Sequence, residues 1–496
     1  MELEMNILRR TLVLALTGLL ALLVIMLVRA FTLPDRQLAP ARIEKVEIDA
    51  MEVARGLAGA VRIRTISLDD DERANEEAFF TLHDYLRARF PKAFGAIRTE
   101  VVGGRSLLLT WQGGDPALRP AMFMAHQDVV PVAPGTEAQW THPPFEGVVA
   151  DGFIWGRGAW DDKSQLVGLL EALERLIAAG VKPARTILFA FGHDEETNGT
   201  RGAREIAALL ASRGVKLEFV LDEGLVIAVG MLPGLAKPAA LVGTGEKGYA
   251  TLEFTVEGEP GHASMPPRQT PIGRLAGALA RLEATPREAS ISGVARQMFD
   301  AIVPEMAFVP KLMLGNLWLT APLVQRQLEA APSTNALLRT TTALTVVNAG
   351  NKDNVIPGAA RALVNFRILP GDSVQGVIDA SRAIVSDPLV KIAIYKEAFE
   401  PTELSSTDSA SYRRIAQVVR DIYTDTVVAP GLMIAATDSR HMAALTDQIF
   451  RFSPIHAQPE DLKRFHGTNE RIGVADYVDL IRFYHRLIEV SAGGLK

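Results

Sequence analysis

Ala121-Met122-Phe123-Met124-Ala125-His126-Gln127-Asp128 decides the fold, because five apolar residues, too few for a helix, end on a histidine and an acid. The pattern recurs. Residues 186–191 run into Gly192-His193-Asp194-Glu195-Glu196, residues 218–221 run into Asp222-Glu223, and 106–110 form another apolar run. Helical stretches over 163–179 and 203–213 separate these runs. Strands alternating with helices predict an α/β fold with a mixed, mostly parallel sheet covered on both faces. Such sheets bind ligands at the carboxyl ends of their strands, where these polar clusters fall.

Downstream, the order changes to strand (249–257), helix (271–283), strand (343–347), strand (360–367), helix (373–385) and strand (390–395). This is a ferredoxin-like βαββαβ order, and we read it as an inserted second domain. Within it, residues 287–338 form an extra stretch rich in Met, Phe, Leu and Trp. Amphipathic helices over 412–423 and 476–488 return the chain to the first domain. The expected division is an N-terminal anchor (1–33), a tether (34–50), a catalytic domain in two parts (51–247 and 401–496), and the insert (248–400).

The 496 residues, 48% of them hydrophobic, suffice for a large core in more than one domain. A net charge of −6 offers no basic stripe, so no nucleic-acid partner is expected. The absence of cysteine excludes disulfides, thiolate ligands and a cysteine nucleophile, leaving His and carboxylates to hold any metal. Residues 12–28 are apolar except for Thr17 and Gly18, with Arg9 and Arg10 before them and Arg29 after. They read as an uncleaved membrane helix with a cytoplasmic start and an extracytoplasmic catalytic domain.

Several residues carry chemistry. His126 and Asp128, two apart, can form a metal ligand and the carboxylate that orients it. Asp161 and Asp162 follow Gly156-Arg157-Gly158 and precede a helix, where a metal site and helix capping read alike. Among Asp194, Glu195 and Glu196, one carboxylate can bind metal while its neighbour acts as general base; an acidic surface turn reads the same. Asp222-Glu223 is a further acidic pair, and His466 stands just before the closing helix. Several strands delivering His or carboxylate to one sheet edge suit zinc, cobalt or manganese.

With these residues in place, the chain resembles the co-catalytic zinc metallopeptidases that include carboxypeptidase S, carboxypeptidase G and the aminoacylases. Its nearest likeness is the carboxypeptidase S branch, which also holds enzymes that make and break N-fatty-acyl amino acids. The matching stretches are His126-Gln127-Asp128, Gly156-Arg157-Gly158 through Lys163, Asp194-Glu195-Glu196, Leu221-Asp222-Glu223-Gly224, Gly261-His262-Ala263-Ser264, Asn354-Val355-Ile356-Pro357, Thr437-Asp438-Ser439-Arg440 and His466-Gly467. The resemblance implies two zinc ions per subunit, with cobalt or manganese as substitutes. Asp161 would bridge them, His126 and Asp222 completing one site and Glu196 and His466 the other. It further implies that Asp128 orients His126, that Glu195 is the general base, and that His262 helps hold the oxyanion. Asn354, Arg367 and Arg440 are then the substrate-holding residues. The inserted domain is expected to act as a lid, with a homodimer possible through it. The expected reaction is hydrolysis of an amide beside a free carboxylate, in N-acyl amino acids or short peptides.

Other readings compete. Gly243-Thr244-Gly245-Glu246-Lys247-Gly248 has G-x-G-x-x-G spacing, but a strand rather than a helix should follow, so we read a domain-crossing hinge. No Walker loop and no G-x-S-x-G elbow occurs. A non-catalytic relative used for binding would have no need of both Glu195 and a full ligand set.

Overall fold

The computed structural model describes residues 2–68, 71 and 75–493. An eight-stranded sheet runs in the order Arg98–Val102, Ser106–Trp111, Ile187–Gly192, Ala121–His126, Phe219–Ala228, Ile449–Ala457, Ala239–Glu246, Val427–Met433. Its centre is parallel from Ile187–Gly192 through Ile449–Ala457, with antiparallel pairing at one edge and where Ile449–Ala457 meets Ala239–Glu246. The mixed, mostly parallel sheet is therefore present. Central strands such as Ala121–His126 and Ile187–Gly192 are buried along their whole length, which explains their unbroken apolar runs.

Helices cover both faces. Asp49 starts Ala50–Val61 by accepting from the backbone N–H groups of Met51 and Glu52. Lys163–Ala178 packs on the closing helix Val474–Ala492, and Gly168 allows their close approach, since a Cβ there would lie 2.3 Å from Leu480 Cδ2.

A second sheet of four antiparallel strands runs Thr341–Ala349, Ala359–Ile368, Gly248–Glu257, Val390–Phe399. Helices Pro271–Ala284 and Val374–Val385 pack on it to form a separate apolar core. Thr270 and Ser373 cap these helices by accepting from the N–H groups of Gly273 and Gly376. The glycine-rich stretch forms no phosphate loop: Gly243 and Gly245 lie inside Ala239–Glu246, and only Lys247 separates that strand from the next.

Residues 287–338 fold into helices Gly293–Ile302, Phe308–Leu314, Leu317–Glu329 and Pro332–Leu338. The first packs on the edge strand Val427–Met433, where Met298, Phe299 and Ile302 share a core with Val427 and Ala429. Part of this apolar stretch is thus ordinary core of the large sheet.

The N-terminal helix Glu2–Phe31 is long and apolar enough to cross a membrane and is almost wholly exposed, as an anchor or a signal sequence would be. The segment after it is a strap rather than a free tether. Gln37 bonds to both Ala301 O and Val428 N, Asp421 accepts from Ala41 N, and Arg420 donates to Leu38 O.

One ion pair fastens the sheet's centre to the start of the second unit. Arg451 Nε donates to Glu246 Oε2 at 2.8 Å, both side chains are fully buried, and Thr437 Oγ1 donates to the same oxygen at 3.0 Å. Removing one partner strands the other charge in the core. Arg451→Met is expected to lower unfolding stability by about 3–5 kcal/mol, read as a lower urea midpoint, and adding Glu246→Gln should recover part of it.

Candidate metal centre

Asp161 stands at the meeting point of four segments. His126, ending strand Ala121–His126, places Nε2 2.9 Å from Asp161 Oδ1. His466, on the loop before strand Arg471–Gly473, places Nε2 2.8 Å from Asp161 Oδ2 and 3.2 Å from Glu196 Oε2. Glu196 lies in the turn Glu195–Thr197 after strand Ile187–Gly192. Glu223 Oε1 is 3.6 Å from His126 Nε2. Two groups that could hold a metal follow, His126 with Asp161 and Glu223, and Asp161 with Glu196 and His466; in each, the ligand atoms lie within 4.8 Å of one another.

Glu223 is the acid of this pair that joins His126 and Asp161 in such a group, beside Asp222, the ligand that the family resemblance implies. Strand Phe219–Ala228 runs through both residues, and its pairing is irregular there, Asp222 lying opposite Arg451 and Leu225 opposite Phe452. Asp222 accepts from the N–H groups of Glu223 and Ser439, at 2.9 and 2.8 Å.

The electrostatics suit cations. Burial, then the charge of Asp161, pushes Glu223 up to about 8 and Glu196 up to about 7. Burial, then Glu223, pushes Glu195 well above the carboxylate range. Burial works against charge on His466, yet the carboxylates of Asp161 and Glu196 hold it up to about 10. Glu196 Oε1 is buried without a hydrogen-bond partner. Carboxylates this crowded resist ionisation unless positive charge joins them. Two trios of His and carboxylate donors sharing Asp161 fit two divalent cations of the zinc, cobalt or manganese kind.

Supporting residues hold the donors. Asp128 lies 3.3 Å from His126 Nδ1, accepts from Ser67 Oγ at 2.6 Å, and receives the N–H groups of Glu195 and Glu196 at 3.2 Å. One carboxylate thus orients the histidine and shapes the acidic turn. Asp162 does not cap its helix; its carboxylate accepts from His126 N and Gln165 Nε2. The loop carrying Asp161 turns at Gly158, whose φ is +84° and where a Cβ would lie 2.7 Å from Val129 Cγ1.

Glu470 was not singled out in the sequence. Its Oε1 accepts from the N–H groups of Gly158, Trp160 and Asp161 at 2.9–3.1 Å, while Oε2 pairs with buried Arg157. Arg157 in turn donates to the carbonyl oxygens of His466 and Gly467. Glu470 and Arg157 therefore lock the Asp161 loop to the His466 loop. Four residues after His466, Glu470 reads like any loop acid, and its partners are some 310 positions away.

The remaining expected residues make other contacts. Arg440 donates to Thr437 O and Asn198 O and stacks over Phe399. Arg367, on strand Ala359–Ile368, lies over Tyr249, and burial lowers its pKa. His262 and Asn354 are exposed neighbours on the ribbon Gly261–His262 and Val355–Ile356 of the second unit, where Ala263 N donates to Asn354 O and His262 Nδ1 meets Ser264 Oγ. None of these four side chains hydrogen-bonds to the carboxylate cluster among the described residues.

Glu470→Gln keeps the shape of the side chain but removes Arg157's counter-charge. It is expected to cost about 3–5 kcal/mol of stability and to lower the metal bound per chain, read by thermal melting and elemental analysis of the purified protein.

Comparison with known proteins agrees with this geometry. Residues 122–490 match the family profile described as Peptidase family M20/M25/M40. The chain is 42% identical to the N-fatty-acyl-amino acid synthase/hydrolase PM20D1 of Xenopus tropicalis, covering 96% of this chain and 94% of that protein. It is 31% identical to carboxypeptidase S of Saccharomyces cerevisiae, covering 87% of this chain and 83% of that one. Among solved structures, the M20 family metallo-carboxypeptidase Sso-CP2 from Sulfolobus solfataricus shares the fold, with a TM-score of 0.65 at 17% identity over 90% of this chain and all of that one. With two carboxylate–histidine trios at the sheet's carboxyl edge and relatives matched over almost its whole length, this chain belongs to peptidase family M20/M25/M40 and is a metallohydrolase of that family.

Proposed function

We propose that this protein hydrolyses the amide bond of N-acyl amino acids with long apolar acyl groups, releasing a fatty acid and a free amino acid. The observation that carries the reading is the shared Asp161 with its two flanking trios, in a chain 42% identical to an N-fatty-acyl-amino acid synthase/hydrolase over 96% of its length. Carboxypeptidase specificity is the second reading, favoured by the 31% identity to carboxypeptidase S. Both reactions use an amide beside a free carboxylate and differ in what fills the acyl side. Run in reverse, the same site would join a fatty acid to an amino acid.

His126, Asp161 and Glu223 would hold one zinc ion, and Asp161, Glu196 and His466 the second. Bound there, the pair would polarise the scissile carbonyl and make a nearby water acidic. Glu195 holds no imidazole and is left to act as base. Its raised pKa suits it to take a proton from the attacking water and deliver it to the leaving nitrogen as the C–N bond breaks. Asp128 keeps His126 in one orientation throughout. Arg367 and Arg440, neither of them ion-paired to a carboxylate among the described residues, would receive the substrate carboxylate, with Asn354 and His262 brought in by closure of the second unit as a lid. A homodimer through that unit would fit the same scheme. The N-terminal helix serves as an uncleaved anchor, with the catalytic body on the extracytoplasmic side.

Two predictions test this reading. Glu195→Gln should lower kcat by about 10²–10⁴ with its metal content unchanged, whereas Glu223→Gln should lose metal and Asp222→Asn should keep it. On a panel of N-lauroyl, N-acetyl and dipeptide forms of Phe and Leu, the zinc-loaded protein should turn over the N-lauroyl compounds with the highest kcat/KM. Preference for the dipeptides would instead establish the carboxypeptidase reading, and inertness on every member would leave only binding.

A further inference from the structure

We propose that helices Phe308–Leu314 and Leu317–Glu329 form a docking face for the surface of the same bilayer that the N-terminal helix enters. The inference rests on reading Glu2–Phe31 as an anchor. Helix Leu317–Glu329 already buries Leu317, Thr320 and Val324 against the protein, so its remaining surface has no core to serve. Yet that surface is apolar: Trp318 is 55% exposed and Leu323 62%, and the preceding helix adds Phe308 at 50% and Val309 at 64%. An apolar patch of this kind on an otherwise charged protein calls for an occupant.

Continuity with the anchor identifies it. The rings of Phe31 and Phe308 stack with centroids 6.0 Å apart. Asn316 Nδ2 donates to the carbonyl oxygen of Met26 at 3.0 Å, and Trp318 Nε1 donates to Asn316 Oδ1 at 3.1 Å. Met26 lies five residues before the end of the helix at Phe31, roughly 8 Å along its axis. A helix resting in a membrane interface sinks its apolar face by about 5–10 Å, so the insertion is bonded to the anchor at interfacial depth. A tryptophan with an apolar body and a satisfied N–H is the side chain that prefers this zone.

The body is not free to swing the patch away. Gln37, Leu38 and Ala41 are hydrogen-bonded to the catalytic domain within ten residues of Phe31. Once the helix spans the bilayer, this strap and the Asn316–Met26 bond together set the body's orientation, and that orientation lays the exposed face on the leaflet. An amphipathic long-chain N-acyl amino acid partitions to the same surface, which would supply the proposed substrate locally.

The protein carries its own probe. Of its five tryptophans, Trp111, Trp140, Trp155 and Trp160 are buried and Trp318 is exposed. The full chain is reconstituted into phosphatidylcholine vesicles with and without bromine on the acyl chains, beside Trp318→Phe. The emission assigned to Trp318 by difference should fall about two-fold or more in brominated vesicles. The double substitution Leu319→Asp with Leu323→Asp, both on exposed sites, should largely abolish that quenching while hydrolysis of a water-soluble N-acetyl amino acid is unchanged. If the chain floats with the vesicles and resists carbonate extraction, yet Trp318 is unquenched, the docking face is overturned and the anchor stands. Quenching that survives the double substitution overturns it as well. If the chain does not float at all, the anchor reading fails and the docking face with it.

Discussion

The carboxylate of Asp161, held between the imidazoles of His126 and His466, is the constraint on which the rest of the site depends. One oxygen faces each ring, so the side chain can belong to two metal positions only while both histidines approach from opposite sides. The histidines are 35 and 305 positions away in the chain. Everything that keeps them in place therefore works over long sequence distances. Asp128 orients His126 from the adjoining loop, and Glu470 with Arg157 ties the Asp161 loop to the segment carrying His466. A buried cluster of like charges is costly, and the polypeptide tolerates it because neighbouring N–H groups and one buried guanidinium absorb the charge that metal does not.

The large sheet makes this arrangement possible. Parallel strands end together, so residues from unconnected segments reach one edge without long loops. Buried Arg451 binds Glu246 at the end of the strand that leads into the second unit, and the same arginine lies opposite Asp222 in the strand pairing. Sheet centre, metal edge and the crossing to the second unit thus share a single buried ion pair. Of the three residues expected to hold substrate, Arg440 and Arg367 lie over the rings of Phe399 and Tyr249, while Asn354 sits with His262, the expected oxyanion holder, at the exposed ribbon of the second unit.

At the other end of the molecule, the residues between the N-terminal helix and the first domain are bonded to the body along their length. Combined with Asn316's bond to Met26, this makes the junction between helix and enzyme stiff. The extra residues 287–338 have two jobs there: helix Gly293–Ile302 completes the core beside the edge strand, while the next two helices reach the last turns of the N-terminal helix.

The sequence by itself determined the α/β class and the order of strands and helices, because short buried strands leave unbroken apolar runs. His126 and Glu196 fall at the ends of such runs, whereas Asp161 and His466 lie in loops and entered the expected ligand set through the family resemblance. Only the tertiary structure brings Glu223 Oε1 to 3.6 Å from His126 Nε2, at a point where the strand's pairing is irregular. Glu470 and Arg157 were equally hidden, because their partners are backbone N–H and carbonyl groups that any sequence possesses. The strap was hidden too: residues 34–50 have the composition of a linker, and what holds them is a set of side chains and carbonyls brought together only by the folding of distant helices.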